Sequence, residues 1–480
     1  MTYRLLPFRF LRFDDARTLV VNETGEHHFL RNDDFERFVQ HELRDDSDLL
    51  LDLKAKHFLF DSESLAPFEL LAAKYRTKKA FLDGFTSLHI FVVSLRCEHS
   101  CHYCQVSRVS SDRTRYDMTE ETATRSLDLA FRSPAPRLKI EIQGGEPLLH
   151  FDRVRQLIIE GRRRADEARR EIEFVVTTNL ALLDDEMLAF FYEHGVFLST
   201  SLDGPAALHD ANRPRPGNDS HSRMTTNLRR AREVLGHDRV AALMTTTRLS
   251  LQSPREIVDE YVRLGFTSMF LRPLSPYGFA LRSAGTTGYA MRDFLNFYVA
   301  ALDEIIARNA NGTFLIESYA QLLLTRIFTP FATGYVDLQS PAGAGIGAVV
   351  YNYDGDVYAS DESRMLAEMG DTRFRLGNVH RDTYESIFGG DTLRTIVAAS
   401  VAESIPGCAD CAFLPWCGAD PVHNYATTGD LLPHVPTSDF HEKNFFIIKH
   451  LLSLYERDAD TRRIFWSWIR NEAPQAEAVA

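Results

Sequence analysis

LHIFVVSLRCEHSCHYC, residues 88–104, runs from an apolar segment straight into three cysteines. Leu88–Leu95 is the kind of run expected of a strand covered on both faces. In α/β folds, ligands gather at the C-terminal ends of parallel strands, so a strand that ends in thiols marks that end. The same rhythm continues along the chain. Strands are predicted at 138–143 (LKIEIQ), 172–179 (IEFVVTTN), 196–202 (VFLSTSL), 240–247 (VAALMTTT) and 267–274 (TSMFLRPL). Amphipathic helices such as FDRVRQLIIEGRRRADEARR and PREIVDEYVRLG separate them, and MRDFLNFYVAALDEIIARNA follows the last. Six strand–helix units predict an open parallel barrel or a doubly wound sheet.

The flanks read differently. Residues 1–82 predict a small α+β unit, with strands in YRLLPFRFLRF and TLVVNE and a glycine turn in NETGEHHFL. A helix over RNDDFERFVQHEL is expected, capped by Asn32 or Asp33, with a second over SDLLLDLKAKHFL. The α/β core is assigned to 83–315. Residues 316–450 form a further unit, in which AVVYNYDGDVYAS is a hairpin with an Asp-Gly turn, and 451–480 a C-terminal helix and tail.

Net charge is −13, which disfavours nucleic acid and anionic membranes as partners. No secretory signal or transmembrane run is read, so a cytoplasmic protein is expected. The six cysteines fall into two triplets, Cys97, Cys101, Cys104 and Cys408, Cys411, Cys417. Disulfides would need an oxidising compartment, so metal or cluster ligation is expected. Three thiolates can hold three irons of a [4Fe–4S] cubane and leave the fourth open, the mark of a reactive site. On spacing alone, zinc completed by His99 or His102 stays open.

CEHSCHYC resembles the CxxxCxxC motif of the radical S-adenosylmethionine (SAM) enzymes. QGGEP (143–147), TTN (177–179) and SLDGPAALHDANR (201–213) are similar to motifs of the peptide-modifying branch, in order and on the expected strands. The resemblance implies a partial (β/α)6 TIM barrel holding a [4Fe–4S] cluster on Cys97, Cys101 and Cys104. It also implies reductive cleavage of SAM to a 5′-deoxyadenosyl radical. By the same resemblance Gly144, Gly145 and Glu146 hold the SAM amino group, Tyr103 lies against the adenine, Asn179 belongs to the cofactor site, Ser201 meets the ribose and Arg213 the carboxylate. Leu271 and Arg272 are cofactor neighbours. From the residues themselves, Asp203 reads as a turn brace and His209 as structural.

GCADCAFLPWCGADP (407–421) resembles the CX2CX5C core of SPASM and twitch domains, which carry auxiliary Fe–S clusters. Ser360 and Pro421 stand where two of that family's cysteines are expected, so one auxiliary cluster is expected rather than two. Asp439 or His441 would complete it, or its fourth position would stay open to substrate or water, and structural zinc stays an alternative. Asp361 follows Ser360, at the position of a proton-accepting Asp in sulfatase-maturating relatives, so it is the catalytic candidate. SLRCEHSCHYCQVSRVSSD and GDVYASDESRML look most like His-Xaa-Ser system maturases. The implied function is oxidative crosslinking of a ribosomally made precursor peptide, fed by a donor such as flavodoxin or ferredoxin. Residues 1–82 could then recognise a leader peptide by strand addition. Oxidation of a protein Ser or Cys, or peptide epimerisation, are the alternatives.

Overall fold

A computed structural model describes residues 3–44, 47–61, 64–106, 108–109 and 112–473. The last seven residues of the expected tail lie outside them. Near the N-terminus, β1 (Arg4–Leu5) and β5 (Leu59–Phe60) pair antiparallel around a meander of β2 (Phe8–Arg12), β3 (Arg17–Asn22) and β4 (His27–Arg31). Gly25 makes the β3–β4 turn at φ +91°. Helices Asn32–Val39 and Asp48–Ala55 close one face, burying Phe35, Phe38, Leu50 and Leu53. The first cap differs from expectation. Arg31 is the N-cap and makes no side-chain cap bond. Asn32 is already helical, and its side chain bonds the Asp15 carbonyl and the Thr18 hydroxyl, both at 2.8 Å.

The core is a parallel sheet of β6 (Leu88–Ser94), β7 (Arg137–Gly144), β8 (Glu171–Thr177), β9 (Phe197–Ser201) and β10 (Val240–Leu243), each paired with the next. Leu138, Ile140 and Ile142 of β7 are buried, whereas Glu141 and Gln143 alternate to the opposite, inner face. There the Thr177 hydroxyl donates to Glu141 at 3.0 Å. The inner face is therefore polar, unlike the apolar layers that fill a closed barrel.

The sixth strand is shorter than expected. β11 (Ser268–Met269) pairs with β12 (Ile316–Glu317) in a separate two-stranded sheet. Pro273 and Pro276, which cannot donate to a ladder, follow it. The backbone bond from Thr246 N to Arg272 O, 2.9 Å, keeps this segment beside the end of β10. The structure is thus a partial (β/α)6 barrel with flanking layers.

β13 (Ala348–Tyr351) and β14 (Asp356–Tyr358) form the expected hairpin, and β15 (Arg375–Asn378) extends it. β13 also runs parallel to β6, so the hairpin continues the barrel sheet. At this seam the buried His89 ring bonds the Tyr351 hydroxyl at 3.2 Å and the Thr86 carbonyl at 3.1 Å. Burial pulls its pKa down from 6.5 to about 3. The unfolded chain therefore takes the proton more readily, and stability present above pH 6.5 falls as pH drops. Between pH 6.5 and about pH 5.5 the wild type should lose about 1 kcal/mol relative to His89→Gln, read from urea unfolding at both pH values.

The C-terminal segment is helical as expected, but it breaks into Asp439–Arg457 and Ala459–Arg470. Asp458 caps the second helix, accepting from Thr461 N at 2.7 Å. Among the described residues no helix is long and apolar enough to cross a membrane.

Candidate active site

The cysteine loop leaves β6 and is clamped by backbone bonds. Ser100 N donates to Pro214 O at 2.7 Å, and Phe279 N to Cys104 O at 2.8 Å. Before it, Arg96 makes a bidentate pair with Asp117, both bonds 2.7 Å. Cys97, Cys101 and Cys104 are all free thiols. Burial pushes Cys97 up, with Glu98 and Cys101 adding to it. Burial also pushes Cys101 up to about 12 against the pull of Arg213. Thiolates here therefore need a bound cation to offset their charge.

Gly144 and Gly145 lie flat against this loop. A Cβ on Gly144 would come 2.1 Å from Ser94 O, and one on Gly145 2.3 Å from Arg96 O. The Gly145 and Glu146 amides donate to those same two carbonyls, both at 2.7 Å. Glu146 is fully buried and fastens the end of β7 to the segment after β8. It accepts from the Thr178 hydroxyl at 2.7 Å, Leu148 N at 3.0 Å and Asn179 N at 2.8 Å. Burial, then Glu98, pushes its pKa up to about 8. The Asn179 amide donates to Glu98 at 2.8 Å, and Glu98 in turn meets His99 at 3.1 Å.

Tyr103 and Arg213 converge on Asp203. The Tyr103 hydroxyl donates to Asp203 at 2.6 Å, and the Arg213 guanidinium does so at 3.1 and 3.3 Å. Arg213 also lies over the Tyr103 ring, 5.2 Å from its centre. Ser201 ends β9, on the same side of the barrel as the thiols. Asp203 is thus the hub of the loop after β9 rather than only a turn brace. Ser220 was not singled out in the sequence. Its hydroxyl bridges His99 at 2.9 Å and His209 at 3.1 Å, tying the cysteine loop to the segment that carries Arg213. A serine in a polar stretch gives no pattern that reveals this. Leu271 is buried, with its amide on Glu317 at 3.0 Å, while the next residue, Arg272, lines a cavity of about 240 Å³.

The second triplet sits where the N-terminal meander meets the C-terminal helices. Arg9 donates to Ala409 O at 2.5 Å, and the buried Trp416 indole donates to Gly25 O at 3.2 Å. Arg326 holds the carbonyls of Trp416 and Pro415 at 2.9 and 3.1 Å. Burial, with Cys417 and Cys411 adding, pushes Cys408 up to about 12. From helix Asp439–Arg457 the Asn444 amide reaches Cys417 Sγ at 3.7 Å. Asp439, at the start of that helix, lines the 240 Å³ cavity.

At both positions where a cysteine was expected, the residue begins a helix. Pro421 opens Pro421–Thr428, and Ser360 caps Asp361–Glu368 by accepting from Ser363 N at 3.2 Å. Ser360→Ala should therefore cost about 1 kcal/mol in urea unfolding. Asp361 accepts from Arg364 Nε at 2.9 Å, and its charge helps raise the pKa of Glu141 on the inner face of the barrel.

The first site fits a cluster with a small polar cofactor. Three free thiols stand beside a glycine surface with no room for a Cβ. Among the described residues, Glu98 Oε2 and Gln143 Nε2 are buried without a partner. A barrel mouth of this design fits a metal cluster facing an enclosed polar interior. Residues 91–269 match the Radical SAM superfamily, so the chain carries a radical SAM domain. That superfamily implies a [4Fe–4S] cluster and SAM. A serine-type anaerobic sulfatase-maturating enzyme of Bacteroides thetaiotaomicron is 23% identical over 361 residues, covering 71% of this chain and 82% of that protein. The structure of anSMEcpe with bound AdoMet aligns at a TM-score of 0.62 and 18% identity, over 80% of this chain and 100% of that one. Streptococcus suis SuiB bound to precursor peptide SuiA aligns at 0.51 and 17%, over 90% and 98%. At these identities the two structures support the fold.

Proposed function

We propose that the protein is a radical SAM maturase that oxidatively crosslinks a ribosomally made precursor peptide, in a His-Xaa-Ser-type system. The observation that carries this reading is the cavity that joins the barrel to the C-terminal layer. Arg272 opens it at the barrel end, and Lys443, one residue from the Asn444 that touches Cys417, lines its far wall. A substrate there would lie between the two thiol triplets. The SuiB relative, bound to a precursor peptide, supports a peptide as substrate.

In this reading Cys97, Cys101 and Cys104 hold the cluster, which with SAM supplies a 5′-deoxyadenosyl radical. Gly144, Gly145, Ser201, Leu271 and Arg272 line the cofactor, with Glu146 and Asn179 fixing the strand ends behind it. Asp203 orients Tyr103 and Arg213 toward it. Cys408, Cys411 and Cys417 hold one auxiliary cluster, its fourth ligand drawn from the start of helix Asp439–Arg457, with Asp439 as the candidate. The peptide gives up one hydrogen atom to the radical. Closing the new bond would release one proton, which Asp361 would accept, and one electron, for which an auxiliary cluster held by Cys408, Cys411 and Cys417 would supply the path away from the peptide. An electron donor such as flavodoxin or ferredoxin would be the partner that supplies the reducing electron.

Anaerobic incubation of the reconstituted enzyme with SAM, dithionite and the precursor peptide, followed by mass spectrometry, tests this. A product lighter by two hydrogens, with fragmentation blocked between the joined residues, is expected. The sulfatase-maturating relative favours a second reading, oxidation of a protein Ser or Cys. That reading predicts loss of two hydrogens confined to one Ser, or at a Cys the further exchange of sulfur for oxygen when its thioaldehyde hydrolyses, with fragmentation intact. An inverted residue at unchanged mass would instead mean epimerisation.

A further inference from the structure

We propose that the cavity beyond Arg272 is a specificity site that holds one cationic side chain, lysine or arginine, of the peptide substrate. This rests on the peptide-maturase reading. Among the residues assigned to the cofactor, only Leu271 and Arg272 line the cavity, so it lies beyond the SAM position rather than within it. Its volume, about 240 Å³, is below the roughly 300–1,000 Å³ of sites for whole small molecules. It suits a single side chain.

Four carboxylates line it, Asp439 at the start of helix Asp439–Arg457 and three more from separate elements. Asp337 precedes the barrel-edge hairpin, Glu362 lies in helix Asp361–Glu368, and Asp420 caps helix Pro421–Thr428. Among the described residues none of the three makes an ion pair. Arg272 and Lys443 share the cavity and offset part of this charge, and the Lys443 ammonium also stands over the rings of Tyr319 and Phe440, at 4.8 and 5.5 Å. Carboxylates outnumber these two cations in the lining, four to two. Burial, and then neighbouring carboxylates, push Asp337, Glu362 and Asp420 each up to about 7.

An independent observation points the same way. Tyr277 is 1% exposed, lines the cavity, and its hydroxyl has no hydrogen-bond partner among the described residues. Asp420, Glu362 and Asp337 all act on that hydroxyl electrostatically. A buried, unpaired phenol beside carboxylates that make no ion pair leaves a site for a ligand to complete. Aromatic walls add a second attraction for an ammonium or guanidinium group. A bare metal ion fits less well. Among the described residues these carboxylates do not bring three ligand atoms within 4.8 Å of one another, and two cations already stand in the cavity.

Binding to the anaerobically reconstituted full chain, by isothermal titration or saturation-transfer NMR, tests the site. The probes are Nα-acetyl-lysine methylamide, its norleucine counterpart of similar shape, and Nα-acetyl-glutamate methylamide. The lysine probe should bind at least about tenfold tighter than the norleucine probe, and the glutamate probe weakest. Asp420→Asn, which keeps a capping side chain, and Glu362→Gln should each reduce that preference. Equal binding of the lysine and norleucine probes would overturn the proposal. So would a preference unchanged in both variants, or displacement of the lysine probe by SAM, which would make the cavity part of the cofactor site. A lysine preference in a protein that forms no 5′-deoxyadenosine would support the site and overturn the maturase reading instead.

Discussion

Replacing Cys101 with alanine should abolish 5′-deoxyadenosine formation, a fall of at least about a thousandfold, while the chain stays folded. Groups that act as one unit lose nearly everything when one is removed. Cys101 is the middle thiol of a loop whose shape is set by backbone bonds, among them Ser100 N to Pro214 O and Phe279 N to Cys104 O. Those bonds survive the substitution, so unfolding free energy of the metal-free chain should change by less than about 1 kcal/mol. With a structural zinc in place of the cluster, the wild type itself would form no deoxyadenosine.

Replacing Asp203 with alanine should cost about 3–5 kcal/mol of unfolding free energy, because it leaves a buried guanidinium unpaired. Asp203 is fully buried, and it holds both Arg213 and the Tyr103 hydroxyl. Removing it also frees Tyr103 within the cysteine loop. Asp203→Asn keeps an acceptor for the phenol but not the charge, and should fall between wild type and alanine. Urea unfolding of the three proteins measures this. A cost below about 1 kcal/mol for the alanine variant would mean that the triad does not hold the loop.

The barrel was legible because its strands are apolar runs that end in motif residues. The thiol loop and the glycine pair follow strand ends as the order of motifs implied, whereas Arg213 lies beyond helix Ala206–Asn212 and is returned to the site by Asp203. Their partners were less legible. Asp203 read as a turn brace because its role depends on Tyr103, a hundred positions away. Asn444 lies inside a helix and gives no local signal, and only folding brings it to Cys417. AVVY of β13 reads equally well as a hairpin strand or a central one, and pairing with β6 is a tertiary choice. The carboxylates at 337, 362 and 420 sit on separate segments and converge only around the cavity. The cap at Arg31 was missed because Asn32, a good capping residue, spends its side chain on the β2–β3 turn and β3 instead.

The most direct measurement is low-temperature EPR of the dithionite-reduced protein, prepared without oxygen, before and after SAM is added. The account predicts a [4Fe–4S]⁺ signal that shifts with SAM and is missing from Cys101→Ala. A wild-type protein that holds stoichiometric zinc at Cys97, Cys101 and Cys104, with no iron signal responsive to SAM, would contradict it.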